Sequence, residues 1–85
     1  MESSYMFVGN IVKGMLEYYS NDDINDGIDI LLECCIDYLK EGKFVVNCGM
    51  FDSKMLDRGS SVLIDIKNNN YSSIEVGEKI VNLFM

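Results

Sequence analysis

The chain has 85 residues, of which 48% are hydrophobic and 25% charged, and its 14 acidic and seven basic residues leave a net charge of −7. This length and composition predict a single small acidic globular domain over residues 1–85, and they exclude a disordered acidic tail, which would lack the apolar residues to form a core. Direct nucleic-acid binding is disfavoured as well, because phosphates repel an acidic surface and the few basic residues are scattered.

The first predicted element is a helix near the N-terminus. Its apolar residues recur at spacings of three and four, which is typical of a helix with one buried face: Val8, Ile11, Val12, Met15 and Tyr19. Gly9 and Gly14 weaken this helix relative to alanine. Either glycine would permit another helix to approach closely.

The second helix has the clearest pattern in the chain. The short polar side chains of residues 20–23 form a break and can cap the next helix by accepting its free N–H groups. The apolar residues that follow have helical spacing: Ile28, Leu31, Leu32, Cys35, Ile36 and Leu39. We expect this helix to end at Gly42, in the left-handed conformation that glycine commonly adopts there.

The second half of the chain leaves an alternative open. Residues 43–48 fit either a short strand or the start of a helix, and residues 61–66 also fit either state. We favour a helix that begins near Asp52, and Ser72 with Glu75 matches a capping box at the start of a last helix. The predicted fold is mostly α, a small bundle of about four helices; the alternative is an α+β fold with a hairpin that pairs 43–48 with 61–66.

Residues able to perform catalysis or bind metals are few. Histidine is absent, which removes the commonest general base and metal ligand. The three cysteines form no Cys-x-x-Cys unit, and Cys48 is expected to be a buried structural residue. A calcium loop beginning at Asp22 fails, because Ile24 replaces its third ligand and Asp29 occupies a position that should be apolar. We therefore expect no enzymatic activity, no catalytic residue, no metal and no cofactor.

The whole net charge lies in one segment. Residues 17–41 contain eight acids and one base, Lys40, while the rest of the chain is neutral. Six of these acids recur at spacings of three and four and are called the acid row: Asp22, Asp26, Asp29, Glu33, Asp37 and Glu41. The spacing predicts that they line one face of the second helix, opposite its apolar stripe, where like charges four residues apart are destabilising. An anionic face kept despite this repulsion favours a cationic partner, although a merely solvated face is the alternative interpretation.

These features predict a non-enzymatic protein that docks the acid row onto a basic surface of a protein partner, possessing neither a nucleic-acid site nor a membrane site. In size and charge it is comparable to inhibitors of nucleic-acid-handling enzymes from phages and mobile elements, such as DNA mimics and anti-CRISPR proteins, and to immunity proteins, which is an analogy only. The alternative is a structural or regulatory subunit that forms a homodimer through its apolar first and last helices.

A cytoplasmic location is expected. We expect no secretory signal, because no basic region precedes the first apolar residues, and no apolar run in the sequence approaches the length of a membrane span. The number of cysteines is odd, and Cys34 and Cys35 are adjacent, which favours free thiols over a disulfide.

Overall fold

A computed structural model describes residues 3–47 and 49–85, and this part of the chain contains five helices and no strand. The helices are α1 (Ser4–Leu16), α2 (Asn21–Asp26), α3 (Ile28–Glu41), α4 (Ser53–Asn68) and α5 (Ser73–Phe84). The predicted mostly α bundle of about four helices is confirmed, with the six-residue α2 as a short additional element.

The hairpin alternative is wrong. Residues 61–66 lie inside α4, and residues 43–47 have no regular secondary structure. Cys48, which would end the first strand and was expected to be buried, lies outside the described residues. Asp52 precedes α4 as predicted, and its side chain accepts a hydrogen bond from the Met55 N–H at 2.8 Å. This cap satisfies one of the free N–H groups at the helix start and so favours helix over strand.

Apolar residues from all five helices form one core. All six α3 residues predicted to be buried are buried: Ile28, Leu31, Leu32, Cys35, Ile36 and Leu39. Large fully buried residues from the other helices join them: Leu16, Ile24, Leu63 and Ile80. Burial of a large aliphatic side chain contributes about 1.5–3 kcal/mol, so this stripe determines which side of α3 faces solvent.

The most extensive interhelical contact joins α1 and α5. A Cβ added to Gly9 would overlap the carbonyl oxygen of Ser73, and one added to Gly77 would overlap the carbonyl oxygen of Tyr5. The two backbones therefore touch, which requires glycine at both positions. Of the two glycines in α1, Gly9 is the one that permits a close approach, since nothing lies within 4 Å of the position of a Cβ on Gly14.

The buried face of α1 differs in part from the prediction. Val8 and Val12 are buried as expected, and two of the other predicted residues are half-buried. Tyr19 lies beyond the helix end and is exposed, whereas Leu16, which the spacing did not select, is buried. Gly9 contacts α5, so the side of α1 that carries Gly9 faces α5. The residues on that side, Val8, Val12 and Leu16, are therefore the ones that enter the core.

The end of α3 corrects a second detail. The helix ends at Gly42 as predicted, but Gly42 has φ −75° and the left-handed residue is Lys43, with φ 71°. The Lys43 N–H donates to the Lys40 carbonyl at 3.0 Å and the Phe44 N–H to the Leu39 carbonyl at 2.9 Å. These two bonds form a Schellman motif in which a lysine occupies the position usual for glycine. Gly42 itself is buried, where its missing side chain leaves room for α1.

Candidate docking surface

The acid row extends over two helices, so the predicted single helix face is wrong. Ser20 and Asp23 form a capping box that begins α2, and the Gly27 N–H donates to the Asp23 carbonyl at 2.9 Å where α2 ends. Gly27, with φ −109° and ψ 22°, then separates α2 from α3. Asp22 and Asp26 consequently lie on α2, and the other four acids of the row lie on α3.

The same helices occupy the segment in which a calcium loop was considered. Ile24 is fully buried on α2, in the place where such a loop would need an oxygen ligand. Over residues 3–47 and 49–85, no group of three or more acidic or cysteine side chains could hold a metal ion.

All six acids of the acid row are exposed to solvent. In the described part of the chain a single salt bridge is present, and it joins Lys79 Nζ to Asp65 Oδ2 at 3.6 Å, away from the row. Lys40, the one base in the acidic segment, is exposed on α3 and takes no part in it. The carboxylates of the row therefore face water, and none of them forms a salt bridge with a described basic side chain.

Three acids of the row line an open groove of ≈ 580 Å³, which we call the α3 groove. It lies between α3 and the segment that leads into α4, and its charged residues are Asp29, Glu33, Asp37 and Lys40. Its apolar residues are Ile36, Met50, Phe51 and Leu56. The groove thus combines a mostly anionic wall with an apolar surface.

The apolar residues of the groove differ in how firmly they are held. Phe51 and Leu56 are half-buried and pack against the core, and the Phe51 ring centroid lies 6.5 Å from that of Phe84. Met50 is 101% exposed, so its side chain is fully available to a binding partner. Phe51 and Leu56 are therefore held in place by the core, whereas Met50 is exposed on the groove and free to contact a partner.

The structure divides the predicted site residues. Asp29, Glu33 and Asp37 meet in the groove, whereas Glu41 and the two α2 acids lie outside its lining. The sequence analysis missed Met50 and Phe51. Their signal was an adjacent pair of large apolar residues just before a helix cap, which periodicity alone cannot assign to a core or a surface.

A second polar cluster secures the connection between α4 and α5. The Tyr71 hydroxyl lies 3.0 Å from both carboxylate oxygens of Asp65, and Lys79 Nζ lies 4.4 Å from the Tyr71 ring centroid. Lys13 Nζ donates to the Tyr71 carbonyl at 2.9 Å. The hydrogen bond to Asp65 is the main reason why the pKa of Tyr71 is raised. These contacts tie the loop to α1, α4 and α5, which is a structural role.

The two described cysteines are free thiols. Cys35 is fully buried, and its burial, with a smaller contribution from Cys34, raises its pKa to about 12. A thiol with that pKa is protonated near neutral pH and is a poor nucleophile.

None of the helices in the described ranges combines the length and the apolar character required to cross a membrane. Comparisons with protein-family models, curated proteins and solved structures found no match to this chain.

Proposed function

We propose that this protein is a non-enzymatic binding protein that docks its acid row onto a basic surface of a protein partner. The observation that carries this proposal is the exposure of all six acids, none of which forms a salt bridge with another described residue. Because α3 is fixed by six buried side chains, its carboxylates are presented at constant spacing. A preorganised anionic surface of this kind accelerates encounter with cationic partners and selects against anionic ones.

The repulsion within the row supports the same proposal. Asp22 and Asp26 are four residues apart on α2, and Asp29, Glu33, Asp37 and Glu41 form three further pairs with that spacing on α3. Each like-charge pair costs a few tenths of a kcal/mol, so together they cost about 1–2 kcal/mol at low salt. A basic surface would relieve this repulsion on binding.

For the class of partner, we infer a protein that handles nucleic acid or a basic toxin. Acids four residues apart on a helix rise by about 6 Å along its axis, and alternate phosphates of one DNA strand rise by about 7 Å. This similarity supports inhibition by DNA mimicry, as in DNA-mimic and anti-CRISPR proteins. An immunity protein that blocks a basic toxin would use the same charges.

The test compares two triple variants that remove the same number of charges. The row variant carries Asp29→Asn, Glu33→Gln and Asp37→Asn. The control variant carries Glu17→Gln, Asp57→Asn and Glu78→Gln, which neutralises three exposed acids outside the row. A partner is isolated on tagged protein at low salt and identified, and it is then titrated against wild type and both variants by calorimetry.

We expect the row variant to bind this partner at least about tenfold more weakly, while the control variant loses about threefold or less. The row variant should also be as stable as wild type or slightly more stable, because like-charge pairs are removed. Equal losses in both variants would show that only net charge matters. Unchanged binding by the row variant would refute the proposal.

The alternative of a homodimer formed through the first and last helices has no specific observation in its favour. The buried faces of α1 and α5 pack against each other within the chain, with backbone contact at Gly9 and Gly77. A dimer would have to use other surfaces.

A further inference from the structure

We propose that the α3 groove binds an arginine-bearing segment of the basic partner. In this arrangement the aliphatic part of an arginine lies on the apolar side of the groove and its guanidinium pairs with the carboxylates of α3. The inference rests on the proposed function and adds the location and chemistry of its central contact.

The mixed lining of the groove restricts what can occupy it. Asp29, Glu33 and Asp37 supply three carboxylates, and Met50 and Phe51 supply an apolar surface within the same groove. A purely apolar occupant would leave the carboxylates without a cation, and a small cation would leave Met50 in water. An occupant that is apolar along its length and cationic at its end satisfies both sides, as long basic side chains do.

Charge also limits the number of cations that the groove accepts. Its three carboxylates and the ammonium of Lys40 leave a net charge of −2. Two guanidinium groups therefore neutralise the groove, whereas a dense run of basic residues would bring further cations close to Lys40. This argues for a segment in which arginine alternates with apolar residues.

Arginine fits this lining better than lysine. Its planar guanidinium forms paired hydrogen bonds with a carboxylate, stacks on aromatic rings and is more weakly hydrated than an ammonium group. Phe51 provides an aromatic ring in the groove, and Met50 an adaptable thioether side chain. The groove is open, and its volume of ≈ 580 Å³ leaves room for more than a single ion.

The experiment uses two defined peptides and two variants of the full chain. The peptides are Gly-Arg-Leu-Arg-Leu-Gly and its lysine counterpart Gly-Lys-Leu-Lys-Leu-Gly, both with blocked ends. The groove variant is Met50→Ser, chosen because the fully exposed Met50 side chain is not needed for the core. The control is Val45→Ser, since Val45 is 87% exposed and is absent from the groove lining. Affinities come from amide chemical-shift titrations at low salt, which also locate the peptide.

We expect the arginine peptide to bind at least about fivefold more tightly than the lysine peptide. It should shift the amide signals of Met50, Phe51 and Leu56 together with those of α3. Met50→Ser should weaken its binding at least about threefold, and Val45→Ser should leave it unchanged. Thermal melts of both variants serve to show that they are folded.

Three results would overturn the groove proposal: no binding of the arginine peptide at millimolar concentration, equal affinity for both peptides, or no effect of Met50→Ser. If the row variant still loses its partner in the calorimetric test, docking through the acid row stands and only the groove is rejected. If the row variant retains its partner, the proposed function fails whichever peptide binds.

Discussion

At the scale of single residues, the two glycines of α1 have opposite roles. Gly9 contacts the backbone of α5, whereas the Cβ position of Gly14 is empty of neighbours. Both look alike in the sequence, since each is a glycine within a helical pattern. What distinguishes them is the position of α5.

Alanine at the two positions should therefore change stability in opposite directions. Gly9→Ala forces two backbones apart and should lower the free energy of unfolding by about 3 kcal/mol or more. Gly14→Ala should raise it by about 0.5–1 kcal/mol, because alanine is the better helix former. Urea denaturation of both variants measures the difference. A stable Gly9→Ala protein would mean that α1 and α5 do not touch as described.

Cys35 should make the free energy of unfolding depend on pH in the alkaline range. Burial is the main reason why its pKa is raised from its ordinary value of 9.0 to about 12 in the folded state. The unfolded chain releases this proton first, so the stabilisation is complete below pH 9 and is lost as pH rises from 9 towards 12. In that window the contribution falls by up to about 1.4 kcal/mol per pH unit.

Denaturation of wild type and Cys35→Ala between pH 8 and 10.5 isolates this contribution. The raised pKa of Tyr71 acts in the same direction in both proteins. The pKa of Tyr38 is raised mainly by burial in both proteins, and the smaller contribution from Cys35 is part of what Cys35→Ala removes. We expect wild type to lose more stability than Cys35→Ala as pH rises. Parallel curves would contradict the burial of this thiol.

At the scale of elements, the helix ends show how local side chains determine boundaries. Every helix except α3 begins with a side-chain cap, from Ser3, Ser20, Asp52 or Ser72. Two of these caps are capping boxes. The box of Ser72 and Glu75 was predicted from the sequence because the motif spans only four residues, whereas residues 20–23 were predicted to form a break and in fact begin α2. The left-handed residue at the C-terminal end of α3 could not be predicted from the sequence, because it is a lysine and not the usual glycine.

Lys43→Gly should stabilise the protein. A left-handed conformation costs a non-glycine residue roughly 1–2 kcal/mol, and the greater freedom of glycine in the unfolded chain returns part of this. We expect a net gain of about 0.5–1 kcal/mol in thermal or urea unfolding. Lys43→Ala, which removes the same charge but keeps a Cβ, should show no such gain. Equal gains in both variants would assign the effect to charge instead of backbone conformation.

At the scale of the whole molecule, the net negative charge and the apolar core are separated: the acids are exposed, and the apolar side chains are buried. The core takes apolar residues from all five helices, while the net negative charge lies in residues 17–41. The acidic segment therefore meets few opposite charges within the folded chain. Its repulsion acts through solvent and should respond to ionic strength.

Sodium chloride should stabilise this protein. Raising the concentration from about 10 mM to 0.15 M shortens the Debye length from about 30 Å to 8 Å and screens the acid row. The expected gain in the free energy of unfolding is about 1 kcal/mol for wild type and for the Glu17, Asp57 and Glu78 control variant. The row variant should gain clearly less in the same urea titrations. A salt response equal in all three proteins would show that the row is not the source of the repulsion.

The sequence by itself determined the helical class, the six buried residues of α3 and the exposure of the acid row. These features follow from helical periodicity and caps, which act over a few residues and leave their pattern in the chain. The break at Gly27, which divides the acid row between α2 and α3, also depends on local residues. It could not be predicted, because a single glycine in a helical pattern does not show whether the helix continues.

Only the tertiary structure decided which surfaces meet. It placed Met50 and Phe51 beside the acids of α3, joined α1 to α5 at Gly9, and left Gly14 open. Periodicity identifies the side of a helix that is buried but not the segment that covers it or lies beside it. The partner segment depends on close packing between residues far apart in the chain, and the α3 groove exists only once that packing is complete.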